Sequence, residues 1–208
     1  RAEKGGHQAP EKGQLGDGTT NDSSSPVYTI LPQGRTAVAI SSGYQHSCAI
    51  LDNQSLYCWG YEDSGRLGLG PSSWPYEVTE PTKVQLPQGA IPVQVSAGYQ
   101  HTCAVMSNGS SYCWGYNYQG QVEGPVNEQL PSSDVNSPIY VQMKDNRKVV
   151  SLSASRLHTC AITEFADYIK RETLADELQQ SGDMEWDKEK IVDFFICYFF
   201  SIISFQYK

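Results

Sequence analysis

A chain of 208 residues is long enough to bury the core of one ordinary domain, alone or with a tail. Its 15 basic and 23 acidic residues give a formal charge of −8, and no Lys/Arg cluster stands out in the first 140 residues. Direct nucleic-acid binding, which needs a basic surface for the phosphates, is therefore disfavoured.

With 18 Gly, 11 Pro and 13 Tyr, residues 1–160 have the composition of many short strands joined by frequent turns. Residues 1–12 are expected to be disordered or a fragment end. They begin at Arg1, with no apolar stretch before a cleavage site, so no signal peptide is visible and the compartment has to be argued from the cysteines. Next come Gly13-Gln14-Leu15-Gly16-Asp17-Gly18-Thr19, which match Gly65-Arg66-Leu67-Gly68-Leu69-Gly70 further on.

The main signal is a repeat. Ser42-Gly43-Tyr44-Gln45-His46-Ser47-Cys48-Ala49-Ile50 recurs as Ala97-Gly98-Tyr99-Gln100-His101-Thr102-Cys103-Ala104-Val105, and a third copy opens at Ser155-Arg156-Leu157-His158-Thr159-Cys160-Ala161-Ile162. Tyr57-Cys58-Trp59-Gly60-Tyr61 returns as Tyr112-Cys113-Trp114-Gly115-Tyr116, with Gly65 matched by Gly120. Several short strands in a period of about 50 residues indicate propeller blades, because a lone sheet cannot cover both faces until neighbours pack on it. The chain divides into a blade end (13–35), repeats at 36–90 and 91–147, a partial repeat (148–162) and a non-repeat tail (163–208).

Within each repeat a hairpin can be placed. Cys48 and Cys58 lie symmetrically about Asn53, and Cys103 and Cys113 about Asn108, so each pair should face across a three-residue loop. Ser107-Asn108-Gly109 puts Gly where that loop needs a left-handed residue, whereas Asp52-Asn53-Gln54 lacks it. Ile50 and Leu56, and Val105 and Ser111, become cross-strand neighbours, while small Ala49 lets adjacent sheets approach.

The pattern Gly-x-x-His-(Ser/Thr)-Cys-Ala, the Tyr-Cys-Trp-Gly and the Gly-x-Leu-Gly-x-Gly together resemble the regulator of chromosome condensation repeat, over residues 13 to about 162. The resemblance implies an all-β propeller of about seven four-stranded blades and a protein that works by binding other proteins. Two whole repeats cannot close such a ring, so further blades are expected from the parent protein or another chain.

Cysteines opposed on neighbouring strands are within reach of a disulfide, and pairs recurring at one spacing point to an oxidising compartment; Cys48–Cys58 and Cys103–Cys113 are so assigned. Two alternatives stay open: buried thiols acting as small apolar groups, or a zinc site from His46, Cys48 and Cys58, although the third repeat keeps the His without a second cysteine. His46, His101 and His158, spread over successive blades, read as structural hydrogen-bonding groups, as do Gly43, Gly60, Gly98, Gly115, Trp59 and Trp114 for packing. No catalytic motif, metal site or cofactor is expected. Candidate binding loops carry Tyr61, Glu62, Asp63, Trp74, Tyr76, Tyr116 and Tyr118, since aromatic loop residues favour interfaces. Glycosylation sequons stand at Asn21, Asn53 and Asn108.

After Ile162 the repeat stops, and Lys170 replaces the second cysteine. Residues 164–190 are polar with loosely helical spacing. Residues 191–205 are almost wholly apolar, shorter than the roughly 20 residues that span a bilayer. They fit an anchor, a buried or interfacial segment, or a tail translated from an intron or shifted frame. The leading functional expectation is a non-catalytic protein-interaction module in a secreted, cell-surface or lumenal setting. The alternative is a cytoplasmic exchange-factor-like regulator of a small GTPase, for which no protruding wedge hairpin can be matched.

Overall fold

The computed structural model describes residues 12–70, 75–118, 120–122, 133–143, 146–164 and 195–196. The first sheet contains β1 (Ala37–Ser42), β2 (His46–Leu51), β3 (Leu56–Tyr61) and β4 (Glu77–Lys83), in that order and antiparallel throughout. The second repeats it with β5 (Pro92–Ala97), β6 (His101–Met106), β7 (Ser111–Gly115) and β8 (Val135–Tyr140). A third sheet holds β9 (Val149–Ala154), β10 (Thr159–Thr163) and β11 (Phe195–Ile196), ordered β11-β10-β9. There is no α-helix among the described residues; the helical reading of 164–190 falls almost wholly outside them, as does most of 191–205.

The hairpins have the expected register, with Cys48 opposite Cys58, Ile50 opposite Leu56, Cys103 opposite Cys113 and Val105 opposite Ser111. Gly109 takes φ 82°, and Gln54, at the matching place in the first loop, is forced to φ 64°, a left-handed conformation that costs a side-chain-bearing residue energy. Pro81 and Pro138 lie on β4 and β8, each at the outer edge of its sheet, where a missing amide breaks no inner ladder.

Of the inner strands, β2 and β6 are buried along their whole length. Period-2 alternation is lost there because neighbouring material covers both faces of a blade. β2 packs on β5 and β6 on β9, so the sheets follow one another as consecutive blades of an arc. Ala49 and Ala104, fully buried, are the small residues that permit the close approach. One apolar cluster fills the space between the first two blades, around Trp59, Leu67, Val95 and Trp114; a second, with Val105, Val122, Val149 and Leu152, fills the next space.

Candidate interaction surface

The Sγ atoms of Cys48 and Cys58 are 2.14 Å apart and those of Cys103 and Cys113 2.09 Å apart, two disulfides at the same register in consecutive blades. The pairing follows from the three-residue hairpin loop, which sets each cysteine directly opposite its partner with Cα atoms 4.1 Å apart. His46 is turned away from this pair: its Nε2 meets the Thr102 Oγ1 of the next blade at 2.9 Å, so the zinc triad of His46, Cys48 and Cys58 is not assembled. His101 Nε2 reaches Thr159 Oγ1 at the same 2.9 Å. Desolvation holds both imidazoles neutral, lowering His46 to about 3, with help from the nearby Arg66 charge, and His101 to about 4, with help from His158.

The threonine passes the bond on. Thr102 Oγ1 donates to the Arg66 carbonyl (2.8 Å), and Trp114 Nε1 donates to the same carbonyl (3.0 Å). One blade earlier, Ser47 Oγ and Trp59 Nε1 both donate to the Gln14 carbonyl at 3.0 Å; one blade later, Thr159 Oγ1 donates to the Gln121 carbonyl. The tryptophans thus bury an indole face and satisfy its N–H on a loop of the preceding repeat. The glycine motif is what lets that loop come close: a Cβ on Gly16 or Gly68 would stand 2.6 Å from Trp59 or Trp114 Nε1.

The candidate binding loops divide. Glu62 is partly buried: its carboxylate accepts the Leu67 N–H at 2.8 Å, and burial raises it to about 7 against the pull of its backbone bonds and Arg66. A charged side chain in a loop is usually solvated, which is why Glu62 reads as a binding residue in the sequence, but here the loop closes round it. Asn117 does the same job in the next repeat, its Oδ1 accepting Val122 N–H at 3.0 Å. Tyr61 is half-buried under Lys12 and Arg66, whose cationic centres lie 4.2 and 5.1 Å from its ring centre. Asp63 accepts from Arg66, and Tyr116 packs on Tyr118 with ring centres 5.3 Å apart. Tyr76 and Tyr118 remain exposed; Trp74 lies outside the described residues. Asn21, Asn53 and Asn108 are all exposed, and in the last two sequons the Asn Oδ1 accepts bonds from Ser55 and Ser110.

A column on the turns that precede β2, β6 and β10 escapes the motif-based reading of the sequence. Tyr44 and Tyr99 stack with ring centres 4.3 Å apart and planes 20° apart, and the Arg156 guanidinium lies 5.1 Å from the Tyr99 ring centre. With Gly43, Gly98 and Ser155 these residues line a shallow open depression of about 280 Å³. The signal lay in the two variable residues between Gly and His, Tyr-Gln twice and then Arg-Leu: one residue per blade, at a place where each blade stands beside the next.

The profile of the regulator of chromosome condensation (RCC1) repeat matches residues 10–50, 53–105 and 108–162, and a second RCC1-repeat profile matches 37–66 and 93–121. Among curated relatives, the ultraviolet-B receptor UVR8 of Arabidopsis thaliana is 32% identical over 152 residues, covering 73% of this chain and 33% of the relative. The probable E3 ubiquitin-protein ligase HERC6 of Homo sapiens is 31% identical, covering 75% of this chain and 15% of the relative. The X-linked retinitis pigmentosa GTPase regulator homolog of Caenorhabditis elegans is 30% identical, covering 75% and 11%. The chain therefore spans a third or less of the length of these relatives. In fold, it is similar to Saccharomyces cerevisiae Prp20p, a protein described with its binding to Gsp1p and histones (TM-score 0.62, 21% identity, 83% of this chain and 42% of that one). Human WBSCR16 gives TM-score 0.60 and 22% identity, over 74% and 38%. With these profiles matched over most of residues 10–162, the chain belongs to the regulator of chromosome condensation (RCC1) repeat family.

Proposed function

We propose that the chain is a non-catalytic protein-binding module whose contact surface is the rim bearing Tyr44, Tyr99 and Arg156, and that it works in a secreted, cell-surface or lumenal setting. The observation that carries the binding surface is the Tyr–Tyr–Arg column: stacked, partly exposed aromatic and guanidinium groups on rigid turns are the side chains that contribute most at protein interfaces. Tyr76 and Tyr118 extend the candidate surface. The setting is supported by two disulfides in consecutive blades and by sequons exposed at both hairpin tips. The matched stretch is a third or less of these relatives, so their receptor, ligase and regulator activities are not carried over to it.

The compartment is tested by expressing the chain through the secretory route and mapping its peptides without reduction. The proposal expects Cys48–Cys58 and Cys103–Cys113 linked and glycan on Asn53 or Asn108. Alkylation of all four cysteines in the native protein sinks it. The surface is tested by placing a photo-crosslinking side chain at Tyr44 and, as control, at Lys83 on the outer edge. A discrete protein adduct from position 44 alone supports the rim. The exchange-factor alternative predicts faster nucleotide release from a small GTPase, measurable with a fluorescent nucleotide across a panel.

A further inference from the structure

The third blade carries the first cysteine of the repeat, but not the hairpin that follows it elsewhere. Cys160 stands opposite Ser153 on β9, as Cys48 stands opposite Ser41 and Cys103 opposite Ser96, so β10 holds the place of β2 and β6. In the complete blades the next strand, β3 or β7, returns after a short turn and sets a cysteine against the first. After Ile162 the sequence departs from that pattern, and Lys170 stands where the second cysteine would be.

β11 takes the place of the missing strand. It pairs antiparallel with the side of β10 that faces away from β9, the side that β3 occupies on β2 and β7 on β6. The register is also the same. Ala161 faces Ile196, as Ala49 faces Tyr57 and Ala104 faces Tyr112; Ile162 faces Phe195, as Ile50 faces Leu56 and Val105 faces Ser111. The residue after Ile196 in the chain is Cys197, at the step where β3 and β7 carry Cys58 and Cys113. The local pattern returns with it: Phe195-Ile196-Cys197-Tyr198 reads against Leu56-Tyr57-Cys58-Trp59, with an apolar residue first, the cysteine third and an aromatic ring fourth.

We infer that Cys197 forms a disulfide with Cys160, a third link at the register of the other two, and that the C-terminal tail thereby supplies the third strand of the third blade. Cysteines directly opposed on antiparallel strands are within the span of a disulfide, as the Cα separation of 4.1 Å in both complete blades illustrates. The likeness ends one residue further on. Gly60 and Gly115 face His46 and His101, where a Cβ would run into the Gln45 or Gln100 carbonyl oxygen, and the corresponding residue of the tail is Phe199. β10 agrees with that limit, since it starts at Thr159 whereas β2 and β6 start at the histidine. Forming the link takes two electrons and two protons from the thiols. One thiolate attacks a sulfur of an oxidant disulfide, that of glutathione or of an oxidoreductase; the second thiolate then displaces the mixed disulfide, and the oxidant leaves as two thiols. In the cell this rests on the oxidising setting proposed above, whereas the register does not.

The experiment therefore supplies the oxidant. The full chain, purified reduced, is incubated under native conditions with reduced and oxidised glutathione, then alkylated, and the single-chain species is digested without reduction. The expected result is Cys160 linked to Cys197 beside Cys48–Cys58 and Cys103–Cys113. A chain with those two pairs linked, but with Cys160 and Cys197 alkylated or carrying glutathione, overturns the inference and leaves the proposed setting standing; the setting is judged separately, on the secreted protein. A Cys160–Cys197 link found only between two chains overturns it as well. Cys197→Ser combined with Tyr198→Cys moves the thiol one residue along, to the opposite face of a strand, and should lose the link to Cys160. Retention of the link in that variant would assign it to a tail without fixed register and overturn the inference. Circular dichroism verifies that both proteins keep their fold.

Discussion

Replacing Glu62 with Gln isolates one buried carboxyl whose charge works against the fold. In the native loop the Glu62 carboxylate accepts N–H bonds from Leu67 and Leu69, yet burial outweighs them and raises its pKa from 4.5 to about 7. The folded state therefore holds this proton more tightly than the unfolded chain. The stabilisation is fully present below about pH 4.5 and is lost as the pH rises to about 7. Each pH unit between those two values is equivalent to about 1.4 kcal/mol, so the change across that window is on the order of 3 kcal/mol. A Gln at this place stays neutral, and Asn117, which accepts the Val122 N–H from the matching position of the next repeat, shows that an amide oxygen can make the bond. The assay is urea unfolding of both proteins at pH 5 and pH 8, followed by tryptophan fluorescence, since Trp59 and Trp114 lie in the blade contacts. His46 and His101 take up protons in the unfolded chain over part of the same range, but they are common to both proteins and cancel in the comparison. The expected result is that Glu62→Gln gains stability relative to the native chain on going from pH 5 to pH 8, by up to that amount. An identical pH response in the two proteins would refute the assignment of a buried, proton-binding Glu62.

Three further outcomes follow from the same geometry. His46 and His101, lowered to about 3 and about 4, should show imidazole proton resonances that do not move between pH 8 and pH 5; their contribution to stability is present above pH 6.5 and is lost as the pH falls towards 4, so a midpoint near 6.5 in the native protein would contradict their burial. Gly68→Ala would set a Cβ 2.6 Å from Trp114 Nε1 at φ 70° and should cost roughly 1–3 kcal/mol, read as a lower unfolding temperature with red-shifted tryptophan emission; an unchanged midpoint would mean that the loop has room to retreat. Replacing Cys103 and Cys113 together by Ala should destabilise by about 2–4 kcal/mol, as measured by denaturant unfolding against the native chain, because the link closes a short loop in the unfolded ensemble; no change would mean that the pair is not bonded in solution.

The fold was legible because the repeat writes the same contact several times. Its hairpin register follows from the cysteine spacing about Asn53 and Asn108, and the structure places Cys48 opposite Cys58 and Cys103 opposite Cys113. The binding loops were less legible, for a physical reason. A charged or aromatic residue between two glycines reads as exposed unless the backbone it folds back on is known, and Glu62 spends its carboxylate on the N–H of Leu67, further along its own loop. Tyr44 and Tyr99 were hidden for the opposite reason: they sit inside the motif, where every other residue has an internal task, and only the placement of consecutive blades brings their rings to 4.3 Å.

That division explains the motif itself. In Gly-Tyr-Gln-His-Thr-Cys-Ala, as it stands at residues 98–104, the His reaches forward to the next blade's threonine, the Thr receives the preceding blade's His and holds the preceding loop by the Arg66 carbonyl, the Cys ties the hairpin, and the Ala leaves space for the neighbouring sheet. Four of seven residues are thereby committed to joining one blade to another or to itself. A repeat motif of this kind reports packing between its copies, and a binding surface has to be sought at positions that packing leaves unassigned. Tyr99 is such a position: its backbone N–H serves the contact to Ser155 while its ring is held between Tyr44 and Arg156, outside the buried clusters.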